Sequence, residues 1–457
     1  MYIQNRNKNR VERRSFLKLA SGAAMAFTAG AFALEDEIAF ASQDVNRASS
    51  PSDLKITDLR VAVVGRAPMR CPLIRIDTNQ GIYGLGEVRD GASAKYALVL
   101  KSRLLGENPC NVEKIFKKIK QFGGHARQGG GVSGVEMALW DLAGKAYDIP
   151  VYQMLGGKYR DKIRIYADTD TSRDPDVFAQ RMKERKEQGY TYLKMDLGIQ
   201  LVDHIEGTVI RPGGEIVDGW RGRVPHPFTG IQITDKGCAE LAKFVAAVRD
   251  AIGYEIPLGA DHFGHLDVNS IIRLANALEP YSLAFMEDVV PWQYTELLQE
   301  ISRAISTPLM TGEDIYLKEE FIKLIDVHAV DMVHPDLATA GGILETKKIG
   351  DYAEEHGIPM LMHFAGTPVS CMANVHSAAA TFNFLALENH SVDVDWWSDL
   401  VTGMEKPLVQ QGFITVPDKP GLGVDLNEEV IKEHLEGEYF APTEEWNRDR
   451  TNDRLWS

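Results

Sequence analysis

The sequence predicts an α/β chain centred on an eight-strand parallel barrel, and three observations carry the prediction. Beyond residue 161, short apolar runs end in a polar residue eight times, at Asp168, Lys194, Asp261, Glu287, Glu313, Asp336, His363 and Glu388. Successive ends lie 26, 67, 26, 26, 23, 27 and 25 residues apart, which apart from one long interval is the length of a strand, a helix and two loops. Stretches with helical spacing, such as 239–251, 268–278 and 343–355, fill most of the intervals. Eight such periods imply parallel strands closed into a barrel with helices outside.

The elements before and after the barrel follow in order. Residues 1–41 carry Arg13-Arg14-Ser15-Phe16-Leu17-Lys18, a small-residue apolar run over 19–34, and Ala39-Phe40-Ala41 ahead of Ser42. This pattern resembles a twin-arginine export signal, and a run so short and so rich in Ala, Gly, Ser and Thr falls below the ~20 apolar residues of a membrane span. It implies a periplasmic mature chain, exported already folded and with no membrane attachment once the signal is removed.

Residues 42–160 read as a separate unit. Strands over 58–64 and 71–77 are followed by the turn Thr78-Asn79-Gln80-Gly81 and a further strand from Tyr83. A helix over 133–147 places Val135, Leu139, Leu142 and Ala146 at helical spacing, and Pro150 with Gly156-Gly157 closes the unit. Residues 161–390 are the barrel, and its long interval holds a Gly-, Pro- and Trp-rich insertion over 200–236, read as a loop overhanging one barrel mouth. Residues 391–457 lack the barrel period and pack back on the first unit.

Composition narrows the function. With 457 residues, 44% hydrophobic and 25% charged, the chain has the content of a globular protein. Its net charge of −15 becomes −17 without residues 1–41, which hold six basic and four acidic residues. An acidic excess argues against a nucleic-acid or anionic-membrane binder, both of which need a surplus of Lys and Arg. Cys71, Cys110, Cys238 and Cys371 form no CxxC or CxxH pair, so they read as buried small hydrophobes rather than a metal or redox motif. No GxxxxGK or post-strand GxGxxG is present, which excludes a common nucleotide cradle.

The strand ends carry the chemistry, because such barrels place reacting groups there. Asp261, Glu287 and Glu313 stand on three consecutive strands, and three converging carboxylates demand a divalent cation. All-oxygen ligation favours Mg²⁺, with Mn²⁺ as a substitute, over zinc. Asp336 and His363 end the next two strands, where the carboxylate fixes and charge-stabilises the imidazole as a general base.

These residues, together with Gly84-Leu85-Gly86-Glu87, Ala138-Leu139-Trp140-Asp141-Leu142-Ala143-Gly144-Lys145, Leu155-Gly156-Gly157, Phe285-Met286-Glu287, Thr311-Gly312-Glu313, Pro335-Asp336 with Gly341-Gly342, and Pro420-Gly421-Leu422-Gly423, make the chain resemble the mandelate racemase and muconate lactonising branch of the enolase superfamily. The resemblance implies a (β/α)7β TIM-like barrel and an α+β capping domain formed by the N- and C-terminal segments. It puts Asp261, Glu287 and Glu313 on the magnesium positions, Asp336 and His363 on the Asp-His base, and Glu388 on the eighth-strand acid that helps stabilise an enolate. It also implies a homo-oligomer acting on a small carboxylate sugar.

Two departures bear on the reaction. Racemases of this branch carry Lys-x-Lys on the second strand, whereas this chain has Lys194-Met195-Asp196, so a second lysine base is missing. Dehydratases of the galactonate type place a His two residues after the first metal ligand as general acid. Here that place is Phe263, flanked by His262 and His265, and strand alternation puts His262 on the opposite face. Asp196, His262 and His265 are therefore the candidate acid or substrate-binding groups. The reading that follows is a Mg²⁺-dependent acid-sugar dehydratase. An epimerase or cycloisomerase on a related acid, and a non-catalytic sugar-acid binding protein, are the alternatives. Substrate selection is expected in the loops 65–71 and 89–94 and in the 200–236 insertion.

Overall fold

After a 3-10 turn at Pro51–Asp53, the chain forms an antiparallel meander of β1 (Ile56–Val64), β2 (Cys71–Thr78) and β3 (Tyr83–Glu87). The structure, a computed structural model, describes residues 50–211, 230–263 and 266–449. The export segment 1–41 lies outside the described residues, as do 212–229, His265 and 450–457. Helix α1 (Val112–Ile119) and helix α2 (Gly130–Tyr147) cover the meander. The glycines of Gly84-Leu85-Gly86 have a packing cause: a Cβ on Gly84 would sit 2.1 Å from Ala138 O, and one on Gly86 2.1 Å from Gly134 O. Helix α2 begins at Gly130, three residues before the position its periodicity predicts. Gly130 and Gly131 let the helix start lie directly against the backbones of Arg89 and Tyr96, so tertiary contact overrides the poor helix propensity of glycine.

Eight parallel strands follow: β4 (Lys162–Ala167), β5 (Leu193–Asp196), β6 (Leu258–Asp261), β7 (Phe285–Glu287), β8 (Leu309–Thr311), β9 (Met332–Val333), β10 (Met360–Met362) and β11 (Phe384–Asn389). Pairing of Leu387 with Ile165, Glu388 with Tyr166 and Asn389 with Ala167 joins β11 to β4 and closes the barrel. Helices α3 (Pro175–Glu187), α4 (Asp235–Ile252), α5 (Val268–Leu278), α6 (Thr295–Ala304), α7 (Lys318–Asp326), α8 (Ile343–Glu355) and α9 (Pro368–Ala379) alternate with the strands. Tyr166, Tyr192, Phe285, Met310, Leu361 and Ala386 form a buried cluster from five of the strands and the residue before β5. The barrel is therefore a packed core, and chemistry is confined to the strand ends.

Three strand ends differ from the sequence expectation by two residues or more, Lys194 because β5 runs on to Asp196. Glu313 lies two residues beyond β8 and Asp336 three beyond β9. Asp336 caps the helical turn Leu337–Ala340, its Oδ1 accepting from the Thr339 N–H at 3.0 Å. The C-terminal segment does more than return to the first unit. It does so through Gly65 N–H to His434 O (2.9 Å) and Glu436 N–H to Val63 O (2.7 Å). It also adds β12 (Phe413–Thr415) antiparallel to β4. In the insertion, Val209–Ile210 pairs antiparallel with Gln232–Ile233, and the overhang expected of its middle lies outside the described residues. Cys71, Cys238 and Cys371 are buried, Cys110 is only partly so, and all four are free thiols. No described helix is long and apolar enough to cross a membrane.

A buried histidine ties α9 to the segment before the barrel. His376 is fully buried, and its Nδ1 accepts the Tyr152 N–H at 3.2 Å, which requires the neutral ring. Burial pulls its pKa down to about 4. The unfolded chain then takes up a proton near pH 6.5 that the folded chain refuses until about pH 4. This stabilisation is complete above pH 6.5 and is lost as pH falls towards 4, to a limit of about 3 kcal/mol. Urea unfolding between pH 7.5 and 4.5 is expected to show a steeper loss for wild type than for His376→Gln; parallel curves would exclude His376 as the cause.

Candidate active site

Lys194 enters the barrel mouth from β5 and is fully buried among acids. Its Nζ lies 3.1 Å from Asp261 Oδ2, 3.5 Å from Glu287 Oε2 and 2.5 Å from Glu388 Oε1. Burial alone would lower its pKa, but Glu287, Glu388 and Asp261 outweigh that and hold it well above the ordinary lysine value. Glu388, which burial would raise, is held well below its usual range by Lys194 and His390. Tyr166 adds an O–H donor to Glu388 Oε2 at 3.1 Å.

The dyad expected from sequence is assembled. His363 Nδ1 lies 2.6 Å from Asp336 Oδ2, and its Nε2 lies 3.0 Å from Glu313 Oε2. Arg89, delivered by the segment after β3 and fully buried, braces the far side. It donates to Asp90 Oδ1 (2.8 Å), Glu313 O (2.8 Å) and Thr339 Oγ1 (2.6 Å), and lies 3.2 Å from Asp336 Oδ2. Burial would raise the Asp336 carboxyl, but Arg89 and then His363 hold it below its ordinary value. Burial would lower His363, and Glu313 with Asp336 takes it instead to about 9.

The three expected metal ligands are not gathered in one cluster. Asp261 and Glu287 present carboxylate oxygens within 4.8 Å of each other and of Asp288. Glu313 is drawn to His363 and, at 3.7 Å, to Arg89, two cationic groups that offer it more than further carboxylates would. The acid group nonetheless fits a hard cation. Glu287 is fully buried, and neither of its carboxylate oxygens has a hydrogen-bond partner of sound geometry. Its pKa is raised by burial and by Asp261. An all-oxygen donor set with an unsatisfied buried member is what a divalent metal would compensate.

Across the barrel, the structure overturns the alternation argument for His262. That residue adopts φ 73°, so the chain turns at the end of β6 instead of continuing as a strand. The turn swings the ring back to the mouth, where Nε2 lies 3.1 Å from Asp196 Oδ2. Burial would lower His262, and Asp261 with Asp196 raises it to about 10. His262 and Asp196 thus form a second imidazole–carboxylate pair.

Four further groups at the mouth are not among the sequence candidates. Asp288 joins the oxygen cluster, and Arg89 stands in what the sequence suggests is a specificity loop. His334 is fully buried, with Nε2 3.1 Å from Glu287 Oε1 and 3.3 Å from Glu388 Oε2. His390 sits with Nδ1 3.1 Å from Asp168 Oδ2 and Nε2 3.2 Å from Glu388 Oε1. The last two carried a usable signal, since His334 precedes Asp336 by two and His390 follows Glu388 by two, the strand spacing that returns a side chain to one face. Asp288 and Arg89 carried none, because a turn with φ 48° at Asp288 and a long-range packing contact place them.

Comparison with known proteins agrees with this architecture. Residues 177–430 match the family described as enolase C-terminal domain-like, and residues 45–156 match the mandelate racemase / muconate lactonizing enzyme N-terminal domain. The chain is 34% identical over 397 residues to a D-xylonate dehydratase of Haloferax volcanii, covering 84% of this chain and 90% of that relative. It is 30% identical over 427 residues to a D-galactonate dehydratase family member of Pantoea ananatis, covering 88% and 98%. A crystal structure of a mandelate racemase/muconate lactonizing enzyme-like protein from Rubrobacter xylanophilus superposes with TM-score 0.75 at 31% identity, over 85% of this chain and 100% of that one.

Proposed function

The chain belongs to the mandelate racemase and muconate lactonizing enzyme branch of the enolase superfamily, as a carbon–oxygen lyase, and from that premise we propose that it dehydrates a sugar acid to a 2-keto-3-deoxy acid. The observation that carries the dehydratase reading is the His262–Asp196 pair standing across the barrel from the His363–Asp336 pair. Strands β6 and β10, which deliver the two histidines, are four apart in a ring of eight. A histidine on each side suits removal of a proton from one face of the substrate and protonation of a hydroxyl leaving from the other. The dehydratase names of both relatives point the same way.

In this reading Asp261, Glu287 and Glu313 would hold Mg²⁺, which when bound would supply positive charge that acidifies the α-proton of a carboxylate substrate. His363 takes that proton at Nε2. Asp336 accepts from Nδ1–H and fixes the tautomer, and Arg89 keeps Asp336 ionised and in place. For Nε2 to be available, Glu313 must turn from His363 towards Asp261 and Glu287. Lys194 places a buried cation where negative charge develops on the substrate, with Glu388 holding its Nζ. His262 gives its proton to the departing β-hydroxyl, and Asp196 orients the ring. One proton moves onto His363 and one leaves His262 as part of water, so the elimination is balanced. We further propose export by the twin-arginine route to the periplasm, supported by Arg13-Arg14 and the apolar run that follows.

The test is a panel of aldonates and uronates incubated with the purified protein and Mg²⁺, read by formation of a 2-keto acid. We expect at least one acid to react, with activity lost on chelation and restored by Mg²⁺. A panel without any 2-keto product would end the dehydratase reading.

A further inference from the structure

The mouth of the barrel holds a further imidazole–carboxylate pair that the dehydration as described leaves idle. His390 follows β11 and Asp168 follows β4, so closure of the barrel brings the two together, with Nδ1 3.1 Å from Asp168 Oδ2. The other nitrogen, Nε2, is buried, and although Glu388 Oε1 is only 3.2 Å away it makes no hydrogen bond of sound geometry. The His390 ring centroid lies 5.3 Å from that of His363. About a fifth of the His390 side chain remains exposed, so the ring borders the mouth while Nε2 itself is covered beside Glu388.

Resting on the proposed dehydration, the reaction needs three proton transfers, and the two pairs already assigned serve only two. Loss of water leaves an enol, which becomes the 2-keto-3-deoxy acid only when C3 gains a proton. His262 has by then given its proton away and stands on the far side of the barrel. His363 by then carries at Nε2 the proton taken from C2, so delivery by His363 would return substrate hydrogen to C3, whereas a separate donor would deliver one drawn from solvent. Among the described residues, two imidazoles beside His363, His334 and His390, have an Nε2 without a hydrogen bond of sound geometry, and of these His390 keeps part of its side chain exposed while His334 is fully buried.

We propose that His390, oriented by Asp168, is a further catalytic residue that protonates C3 of the enol from the His363 side of the site. The Nε2–H bond breaks as a C3–H bond forms. The enol C2 hydroxyl loses its proton to solvent as the carbonyl forms, and solvent reprotonates His390, so no co-reactant beyond water is required. Two carboxylates facing the ring favour the imidazolium that this donation requires, and both hold His390 well above the ordinary histidine value even though burial opposes it.

The consequence is stereochemical, which separates it from a merely structural role. The Mg²⁺-loaded enzyme is run in D₂O on an acid it dehydrates, and the two C3 positions of the product are resolved by proton NMR. We expect wild type to place deuterium in one C3 position only, and His390→Asn to divide it between both, as ketonisation in free solution would. Asp168→Asn, which keeps the imidazole but removes its charged partner, is expected to give a partial division and serves if the first variant does not fold. Absence of 2-keto product from wild type would overturn the dehydratase reading itself. Product that forms from wild type with label in both positions, or from His390→Asn with the wild-type single position, would overturn the role of His390 alone.

Discussion

Replacing His363 with Asn is expected to lower kcat for dehydration by roughly 10²–10⁴-fold, the usual worth of a positioned proton-transfer group. The variant keeps a polar amide at a site where Asp336 and Arg89 remain paired, so near-UV circular dichroism should match wild type. Loss of the C2–H signal should disappear along with turnover, because both depend on the same base. If His363→Asn still lost the C2–H signal at a rate within tenfold of wild type, the base would have to be sought elsewhere. The residue best placed for that would be His262, whose partner Asp196 lies 3.1 Å away.

The second large effect concerns stability. Arg89 is fully buried and touches Asp90, Asp336, Thr339 and the Glu313 carbonyl. Replacement by Met would leave the Asp90 and Asp336 carboxylates in a low-dielectric interior without their main counter-charge. Breaking a buried pair by removing one partner costs about 3–5 kcal/mol, and that is the loss expected for Arg89→Met in urea unfolding. Adding Asp336→Asn to the same chain should recover part of it, since one stranded charge is then gone. A single variant within about 1 kcal/mol of wild type would mean that water or a rearranged lysine reaches the gap.

The periodic part of this chain was readable because each barrel unit repeats one physical problem. A short apolar strand must be buried on both faces, and its polar terminus must surface at the mouth, so Asp261, Glu287, His363 and Glu388 announced themselves by spacing alone. The His363–Asp336 contact followed from strand order. What spacing could not supply was the behaviour of the chain once a strand ended. His262 escaped the alternation rule because its backbone turns left-handed immediately after Asp261. Asp288 joined the oxygen cluster through the same kind of turn. Glu313 depends on a charge, Arg89, that lies 224 residues away in sequence. His334 and His390 lay at the right spacing, but only the closed barrel shows that Glu287, Glu388 and Asp168 face them.

The electrostatics of the mouth also sharpen the meaning of the acidic composition. Six carboxylates, Asp168, Asp196, Asp261, Glu287, Asp336 and Glu388, each lie within 4.0 Å of a buried or partly buried cationic or imidazole group. Much of the negative charge at the mouth is therefore locally compensated, and an anionic substrate is compatible with an acidic chain.

In the proposed reaction this site removes a proton α to a carboxylate and then expels the β-hydroxyl. Proton NMR of a single reactive acid in D₂O with the Mg²⁺-loaded enzyme tests it most directly. The C2–H signal is expected to decay in step with the appearance of 2-keto-3-deoxy acid, with no C2-deuterated starting acid building up. Accumulation of C2-deuterated acid or of its epimer, with no water lost, would contradict it and make the enzyme an epimerase.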